Sequence, residues 1–351
     1  MNLYHLRHVP WLDSQLIYHA MPRVGVEGIV ILAPAEPYVC IGYHQDVEQE
    51  VDIDYCREQH IPVFRREVGG GAVYLDGNQI FYQIVLHKDN PLAHGDKAAL
   101  YRRMLQPVAN AYADLGVPAR YRPVNDVVTV EGRKVSGTGA AEIGDFIVLV
   151  GNLIADFDYA IMSRVLRVPD EKYRDKVFKS MQENLTTLQR EAGRAFEWDA
   201  MVAPLIRRFE EVCGSFQPAT LPQAVYAQVE SLKPLFLSDE WLYKRGKAPI
   251  SARQIGHEVK IATGVNVVRR AHKAAGGLIR ATVEIKENYL ADVSLSGDFF
   301  CYPQDALNKL EVALAGIEMD RVAEAVTNWY TSCHVETPGV TVDDWLKVLG
   351  N

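Results

Sequence analysis

Arg65-Arg66-Glu67-Val68-Gly69-Gly70-Gly71-Ala72-Val73-Tyr74-Leu75-Asp76-Gly77-Asn78 decides the reading of this 351-residue chain, because it sets two guanidinium groups beside a run of glycines at the end of an apolar segment. Glycines let backbone amides approach an anion with no Cβ in the way, and the planar fork of arginine matches phosphate or carboxylate oxygens. Neither common nucleotide motif fits. A P-loop follows its glycines with Lys-Ser/Thr, and a dinucleotide fingerprint opens a helix, whereas Ala72-Val73-Tyr74 and Ile80 to Leu86 read as strand on either side. The glycines are therefore expected in a loop between strands that handles phosphate, with a plain hairpin as the alternative.

A second segment points the same way. Asn125-Asp126-Val127-Val128 is followed, after a short hairpin at Glu131-Gly132, by Arg133-Lys134-Val135-Ser136-Gly137-Thr138-Gly139. Lys134 opens an alternating stretch and is followed by small residues and two glycines. That pattern aims a single ammonium into a cleft whose wall leaves room for a ligand; a surface lysine on a hairpin is the bland alternative.

Taken together, Arg65-Arg66-x-x-Gly-Gly-Gly-Ala-Val-Tyr-x-Asp, Asn125-Asp126 and Gly132-Arg-Lys-Val-Ser-Gly resemble the lipoate protein ligase family. Val168-Pro169-Asp170-Glu171-Lys172-Tyr173-Arg174-Asp175-Lys176, followed by Glu183-Asn184-Leu185-Thr186, is similar to the mobile lysine-rich loop of those ligases and the turn after it. Gly276-Gly277-Leu278-Ile279-Arg280-Ala281 and Val293 to Pro303 resemble their accessory domain, especially the separate small subunit of two-part ligases. The resemblance implies a class II synthetase or biotin-ligase-like catalytic domain over 1–215, a linker over 216–236 and a fused accessory domain over 237–351.

The same resemblance implies ATP-dependent activation of lipoate to lipoyl-AMP and transfer of the lipoyl group to a lysine of an acceptor protein. Lys134 and Asp126 are then the expected catalytic residues. Arg65, Gly69, Gly70, Gly71, Ala72, Val73, Tyr74, Lys134, Ser136 and Gly137 are expected to bind lipoate or its adenylate, and Asp76, Asn78, Asn125 and Asp126 the nucleotide. Asp126 is also the expected magnesium contact. Either Asp126 or Lys134 would position the acceptor lysine. ATP, Mg2+ and lipoate are the expected small molecules, with no tightly bound metal or redox cofactor. The expected acceptor is an E2 lipoyl domain or a protein like the glycine cleavage H protein, including a lipoate-binding protein of sulfur oxidation. Val39, Ile41, Gly42, Val73 and Tyr74 suit an apolar tunnel for the acyl chain, and suit ordinary core equally well.

Three positions depart from the ligase pattern, each with a lost polar group: Val68 for Ser or Thr, and Leu75 and Val150 for His. An octanoyl or lipoyl transferase of the same fold is the main rival, and it needs a cysteine thiol at its site. Ile154 to Met181, where resembling transferases carry theirs, has no cysteine, and Cys40 reads as core. The biotin-ligase loop Gly-Arg-Gly-Arg-x-Gly-Arg is absent. A non-catalytic lipoate-binding protein is a further alternative.

Composition agrees with an enzyme. A net charge of -8 argues against a nucleic-acid binder, and 48% hydrophobic content suffices for two cores. The apolar runs are too short for a membrane helix, and Met1-Asn2-Leu3-Tyr4-His5 lacks the start of a signal peptide, so a cytoplasmic monomer without membrane or nucleic-acid partners is expected. Cys40, Cys56, Cys213, Cys301 and Cys333 have no ligand spacing and read as reduced thiols. Apolar periodicity gives strands at Ile29 to Ala33, Tyr38 to Gly42, Val63 to Arg65, Ala72 to Tyr74, Ile80 to Leu86, Val127 to Val130, Ile147 to Val150 and Gly151 to Ala155. Helices are expected at Trp11 to Met21, Val51 to Gln59, Ala98 to Leu115 and Trp198 to Cys213. This mixture reads as an α+β fold with a largely antiparallel sheet, followed by a small α+β domain.

Overall fold

Apolar runs rich in β-branched residues form the strands, and amphipathic repeats the helices, of this computed structural model, which describes residues 1–168, 170–246, 258–262 and 265–350. The first elements are β1 (Asn2–Val9), α1 (Trp11–Arg23), β2 (Gly28–Pro34), β3 (Tyr38–Ile41), α2 (Val47–Glu50), α3 (Ile53–Glu58), β4 (Val63–Arg65), β5 (Val73–Leu75) and β6 (Gln79–His87). They are followed by α4 (Lys97–Asp114), β7 (Ala119–Arg122), β8 (Asp126–Thr129), β9 (Lys134–Ile143), β10 (Phe146–Ile154), α5 (Tyr159–Val165), α6 (Arg174–Asn184), α7 (Leu188–Ala192) and α8 (Trp198–Cys213). The remainder is β11 (Gln217–Pro218), α9 (Gln223–Phe236), α10 (Asp239–Leu242), β12 (Glu258–Ala262), β13 (Val265–Ala274), β14 (Gly277–Lys286), β15 (Tyr289–Gly297), α11 (Ala306–Leu314), β16 (Ile317–Glu318), α12 (Val322–Ser332) and α13 (Val342–Leu349).

These elements divide into two units. The first comprises Met1–Cys40, Val51–Phe64 and Val73–Leu237; the second comprises Ile41–Glu50, Arg65–Ala72 and Ser238–Asn351. In the first unit an eight-stranded sheet runs β11-β1-β2-β6-β10-β9-β8-β7. Its β1 pairs in parallel with β2 and β11, while β2 through β7 are joined by antiparallel ladders, so the sheet is mixed and largely antiparallel. Every residue of β2 is buried, as its unbroken apolar run requires for a strand covered on both faces. Helix α8 packs on the face that carries Tyr82, whose ring lies 5.4 Å from that of Phe209. Helix α1 covers the opposite face, where the Ser14 carbonyl accepts from Gln83 Nε2 at 2.6 Å.

Three sequence expectations change here. Gly151 was expected to divide two strands, yet β10 is continuous through it. The glycine is needed because a Cβ there would lie 2.2 Å from the Tyr82 hydroxyl and 2.6 Å from Thr138 Oγ1. The stretch 216–236, read as a linker, holds α9, which buries Val225, Val229, Leu232 and Phe236 and packs on α1. Its prolines misled the reading, because Pro222 sits just before the first helical turn, where a missing N–H leaves no hydrogen bond unmade. The lysine-rich stretch read as a mobile loop is a short 3-10 turn over Glu171–Tyr173 followed by α6, with Pro169 outside the described residues.

The second unit carries the antiparallel sheet β12-β13-β14-β15-β16. Its core joins Ile279, Val283 and Leu295 of the sheet to Leu310, Trp329 and Trp345 of the helices. Phe299 and Trp345 meet edge-on at 5.1 Å, and the Trp345 indole donates to the Tyr330 hydroxyl at 2.9 Å. Thr341 caps α13 in a reciprocal pair with Asp344.

Gly151→Ala should destabilise the first unit by about 1–3 kcal/mol, since the added methyl must displace Tyr82 or Thr138 from a packed interior. Urea denaturation reads this as a lower midpoint; an unchanged midpoint would show that the Tyr82 ring yields freely.

Candidate active site

The ladder between β8 and β9 holds a bulge that turns Lys134 around. Asp126 pairs with Gly137 and Val127 with Ser136, but Val128 then pairs with Lys134, so Val135 is the extra residue. Because side chains alternate along a strand, that extra residue moves Lys134 onto the face of Gly137 and Asp126 and off the face of Ser136. Gly137 supplies the remaining room: a Cβ there would lie 3.1 Å from both Cε and Nζ of Lys134. The ammonium lies over the glycine and meets Asp126 Oδ1 at 2.8 Å, with the lysine side chain 35% exposed. Its main chain is pinned as well, since the Thr186 amide donates to the Lys134 carbonyl at 2.8 Å. Thr186 and Arg133 both bond Glu191, which fixes the segment that follows α6.

Asp126 sits between two cations. Burial pushes its carboxyl up, but Lys134 and Arg122, the latter 2.8 Å from Oδ2, together outweigh it, so the pKa is held below the usual carboxylate value. Asn125 is anchored through Nδ2 to the Thr138 carbonyl, which ties the start of β8 to β9. Asn152 Oδ1 accepts from the Gly137 amide at 3.1 Å, and its Nδ2 donates to Gln79, whose own amide reaches the Tyr74 carbonyl. Arg122, Gln79 and Asn152 went unnoticed in the sequence. Arg122 falls four residues before Asp126, and only the β7–β8 hairpin brings the two opposite each other.

Several expected site residues take other places. Ser136 is fully buried with its hydroxyl 3.3 Å from that of Tyr82, on the opposite face of the sheet from Lys134; the bulge is the reason. Asp76 accepts from the Asn78 amide at 2.9 Å and so shapes the turn between β5 and β6, while burial raises its pKa. Val73 pairs with Cys40 and Tyr74 with Val39 in the small sheet β4-β3-β5. Because β3 lies between β4 and β5, the glycine run is no simple hairpin.

Arg65, Gly69, Gly70, Gly71 and Ala72 belong to the second unit, whereas Lys134, Asp126, Asn125, Ser136, Gly137, Val73, Tyr74, Asp76 and Asn78 belong to the first. Arg65 was expected to face a ligand, but it is fully buried and binds main chain. Its guanidinium donates to the carbonyls of Gly42, Tyr43, Gln45, Trp241 and Leu242, and the Trp241 indole returns a hydrogen bond to the Arg65 carbonyl at 2.8 Å. Five fixed donors suit a cluster of carbonyls as well as they suit an oxyanion, and sequence does not separate the two uses. Arg66 folds back likewise, donating to the carbonyls of Gly69 and Gly71 at 2.8 and 2.9 Å. The glycines are required by packing: a Cβ on Gly69 would meet the Phe300 ring at 2.9 Å, one on Gly42 would meet the Gly70 carbonyl, and Gly70 has φ +92°.

The donor set does not fit the expected magnesium contact. Both Asp126 oxygens are engaged by cations, and no group of three His, Cys, Asp or Glu suited to a metal occurs among the described residues. Cys40, Cys56, Cys213 and Cys301 are poorly placed for nucleophilic work. Burial pushes Cys56 and Cys301 up to about 12 and Cys213 up to about 11, and Cys40 is buried with Sγ 3.8 Å from Gln15 Oε1. Among the described residues no helix is long and apolar enough to cross a membrane.

A family model, the lipoyl protein ligase A/B catalytic domain, matches residues 12–210. Lipoate-protein ligase A subunit 1 of Thermoplasma acidophilum is 33% identical over 159 residues, which span 43% of this chain and 59% of that protein. Lipoate-protein ligase 2 of Staphylococcus aureus is 26% identical over 84% of this chain and 82% of its own length. An octanoyltransferase of Moorella thermoacetica is 23% identical over 60% of this chain and 84% of its own. Among solved structures, the bipartite lipoate protein ligase of Thermoplasma acidophilum, analysed with its E2 lipoyl domain, matches with a TM-score of 0.63 at 28% identity, covering 71% of this chain and 98% of that one.

Asp126 titrates with a folded pKa below its unfolded value of about 3.9, so its contribution to stability is full above that pH and is lost as pH falls through the folded value. Asp126→Asn should therefore lose less stability than the parent on acidification below about pH 4; parallel melting curves for the two would show that the pair with Lys134 adds nothing. Arg65→Lys strands several buried carbonyls and should cost about 1–3 kcal/mol in chemical denaturation, whereas a fully stable variant would leave the guanidinium free for a ligand.

Proposed function

The chain belongs to the lipoyl protein ligase A/B catalytic domain family, and on that premise we propose that it is an ATP-dependent lipoate protein ligase. The observation that carries the reading is the Lys134 ammonium, laid across Gly137 and held by Asp126 on a face of the sheet where glycines replace side chains. A fixed cation of this kind neutralises a carboxylate that must approach a polyanionic triphosphate. An oxygen of the acid attacks the α-phosphorus, pyrophosphate departs, and the acyl carbon is left bearing AMP as leaving group. An acceptor lysine amine then attacks that carbon, AMP departs and the amine loses a proton. Asp126, kept ionised by Lys134 and Arg122, orients the ammonium through both half-reactions. Magnesium, when bound with ATP, would add charge neutralisation at the phosphates, and no protein ligand for it is assigned.

The transferase reading requires a reactive thiol, and one relative is an octanoyltransferase. Against it stand the raised pKa values of Cys56, Cys213 and Cys301 and the burial of Cys40. We assign the catalytic domain to the first unit, with α9 as its last helix, and the accessory domain to the second, which takes Ile41–Glu50 and Arg65–Ala72 along with Ser238–Asn351. We also assign the enzyme to the cytoplasm. The acceptor class is a lipoyl domain or an H-like lipoate-binding protein; the solved archaeal relative was analysed with its E2 lipoyl domain.

Lipoate-dependent release of pyrophosphate from Mg-ATP tests the reading directly. The parent should release it without acceptor, and Lys134→Ala should be slower by about 10²–10³ with its melting transition retained. A variant as fast as the parent would remove Lys134 from the chemistry.

A further inference from the structure

Gln83 presents a buried acceptor that nothing among the described residues satisfies. Its side chain is 1% exposed, Nε2 is committed to the Ser14 carbonyl at 2.6 Å, and Oε1 is left without a hydrogen-bond partner. Because a carbonyl oxygen accepts only, the bond to Ser14 fixes which end of the amide is the nitrogen. A buried acceptor in this state is costly unless something donates to it.

The register places this atom relative to Lys134. Gln83 pairs with Val150 on β10, and Val150 pairs with Gly139 on β9. Thr138, Gly151 and Tyr82 form the adjacent row and point to the opposite face, where Tyr82 meets Phe209. Gly139 therefore shares a face with Gly137, and that is the face on which the Lys134 ammonium lies. From Gly137 to Gln83 the path crosses two strand spacings and advances two residues, a distance of about 12 Å. Along it β9 offers Gly137 and Gly139, which carry no side chains, while β10 places Asn152 and Val150 on the same face between Gly139 and Gln83. An extended alkyl chain advances about 1.25 Å per carbon–carbon bond, so the roughly 9 Å of an eight-carbon acid, added to about 3 Å between its carboxylate and the Lys134 ammonium, brings its far end beside Gln83.

We infer that Gln83 Oε1 is a specificity determinant for the far end of the acyl chain, accepting a hydrogen bond from a donor carried there. This rests on the ligase reading only in taking Lys134 as the carboxylate end. The donor requirement selects among acids of that length. The dithiol form of lipoate carries S–H groups at its far end, the closed disulfide carries none, and octanoate ends in a methyl group that leaves Oε1 unsatisfied.

The test is kcat/KM for pyrophosphate release with dihydrolipoate, kept reduced by a phosphine, against octanoate. The parent should favour the dithiol, and near-isosteric Gln83→Met should reduce that preference by about three- to tenfold, with Gln83→Leu doing the same. Equal use of both acids by the parent, or an unchanged ratio in a variant that melts cooperatively, would overturn the inference. If neither acid drives pyrophosphate release, the ligase reading fails on its own, and calorimetric affinities of the same two acids for parent and variant still decide the role of Gln83.

Discussion

A single extra residue in one ladder, Val135, is the constraint on which the site depends. Without the bulge, Lys134 would point with Ser136 into the side of the sheet packed under α8 and would carry a buried charge among apolar groups. With it, the ammonium reaches Asp126 across a glycine. The neighbouring strands then follow from that arrangement: Gly151 makes room for Tyr82, Asn152 holds the Gly137 amide, and Arg122 closes the second side of Asp126. Asn152 and Arg122 act on the face that carries the charge, and Gly151 serves the packing on the opposite face.

The glycine loop has a different logic. Its two arginines are spent on main-chain carbonyls, Arg65 in the interior of the second unit and Arg66 within the loop itself. The same donor geometry that makes arginine a phosphate reader makes it a clamp for several carbonyls, and a buried clamp is intolerant of lysine. What the motif encodes here is the shape of the loop, with Gly69 against Phe300 and Gly42 beneath the Gly70 carbonyl.

Much of the fold was legible from apolar periodicity and from the resemblance, including the strands around the glycine run and α1, α4 and α8. Lys134 and Asp126 were each singled out in the sequence, but neither their ion pair nor the bulge that joins them was legible, because a local insertion in a ladder leaves no mark on apolar alternation. For the same reason Ser136 was placed on the wrong face. Gln83 was invisible, since a glutamine in an apolar strand reads as a solvent-edge position until its neighbours are known. The linker failed because prolines before a helix and prolines in a tether look alike in sequence.

The central claim is that this chain makes an activated acyl group on its own, with Lys134 holding the acid. The most direct measurement is mass-spectrometric analysis of the purified chain, incubated with Mg-ATP and lipoate and no acceptor, in both the small-molecule and the protein fractions. The account predicts a tightly held acyl adenylate and no mass added to the protein. An absence of adenylate, together with an acyl group gained on a cysteine from an acyl carrier, would contradict it.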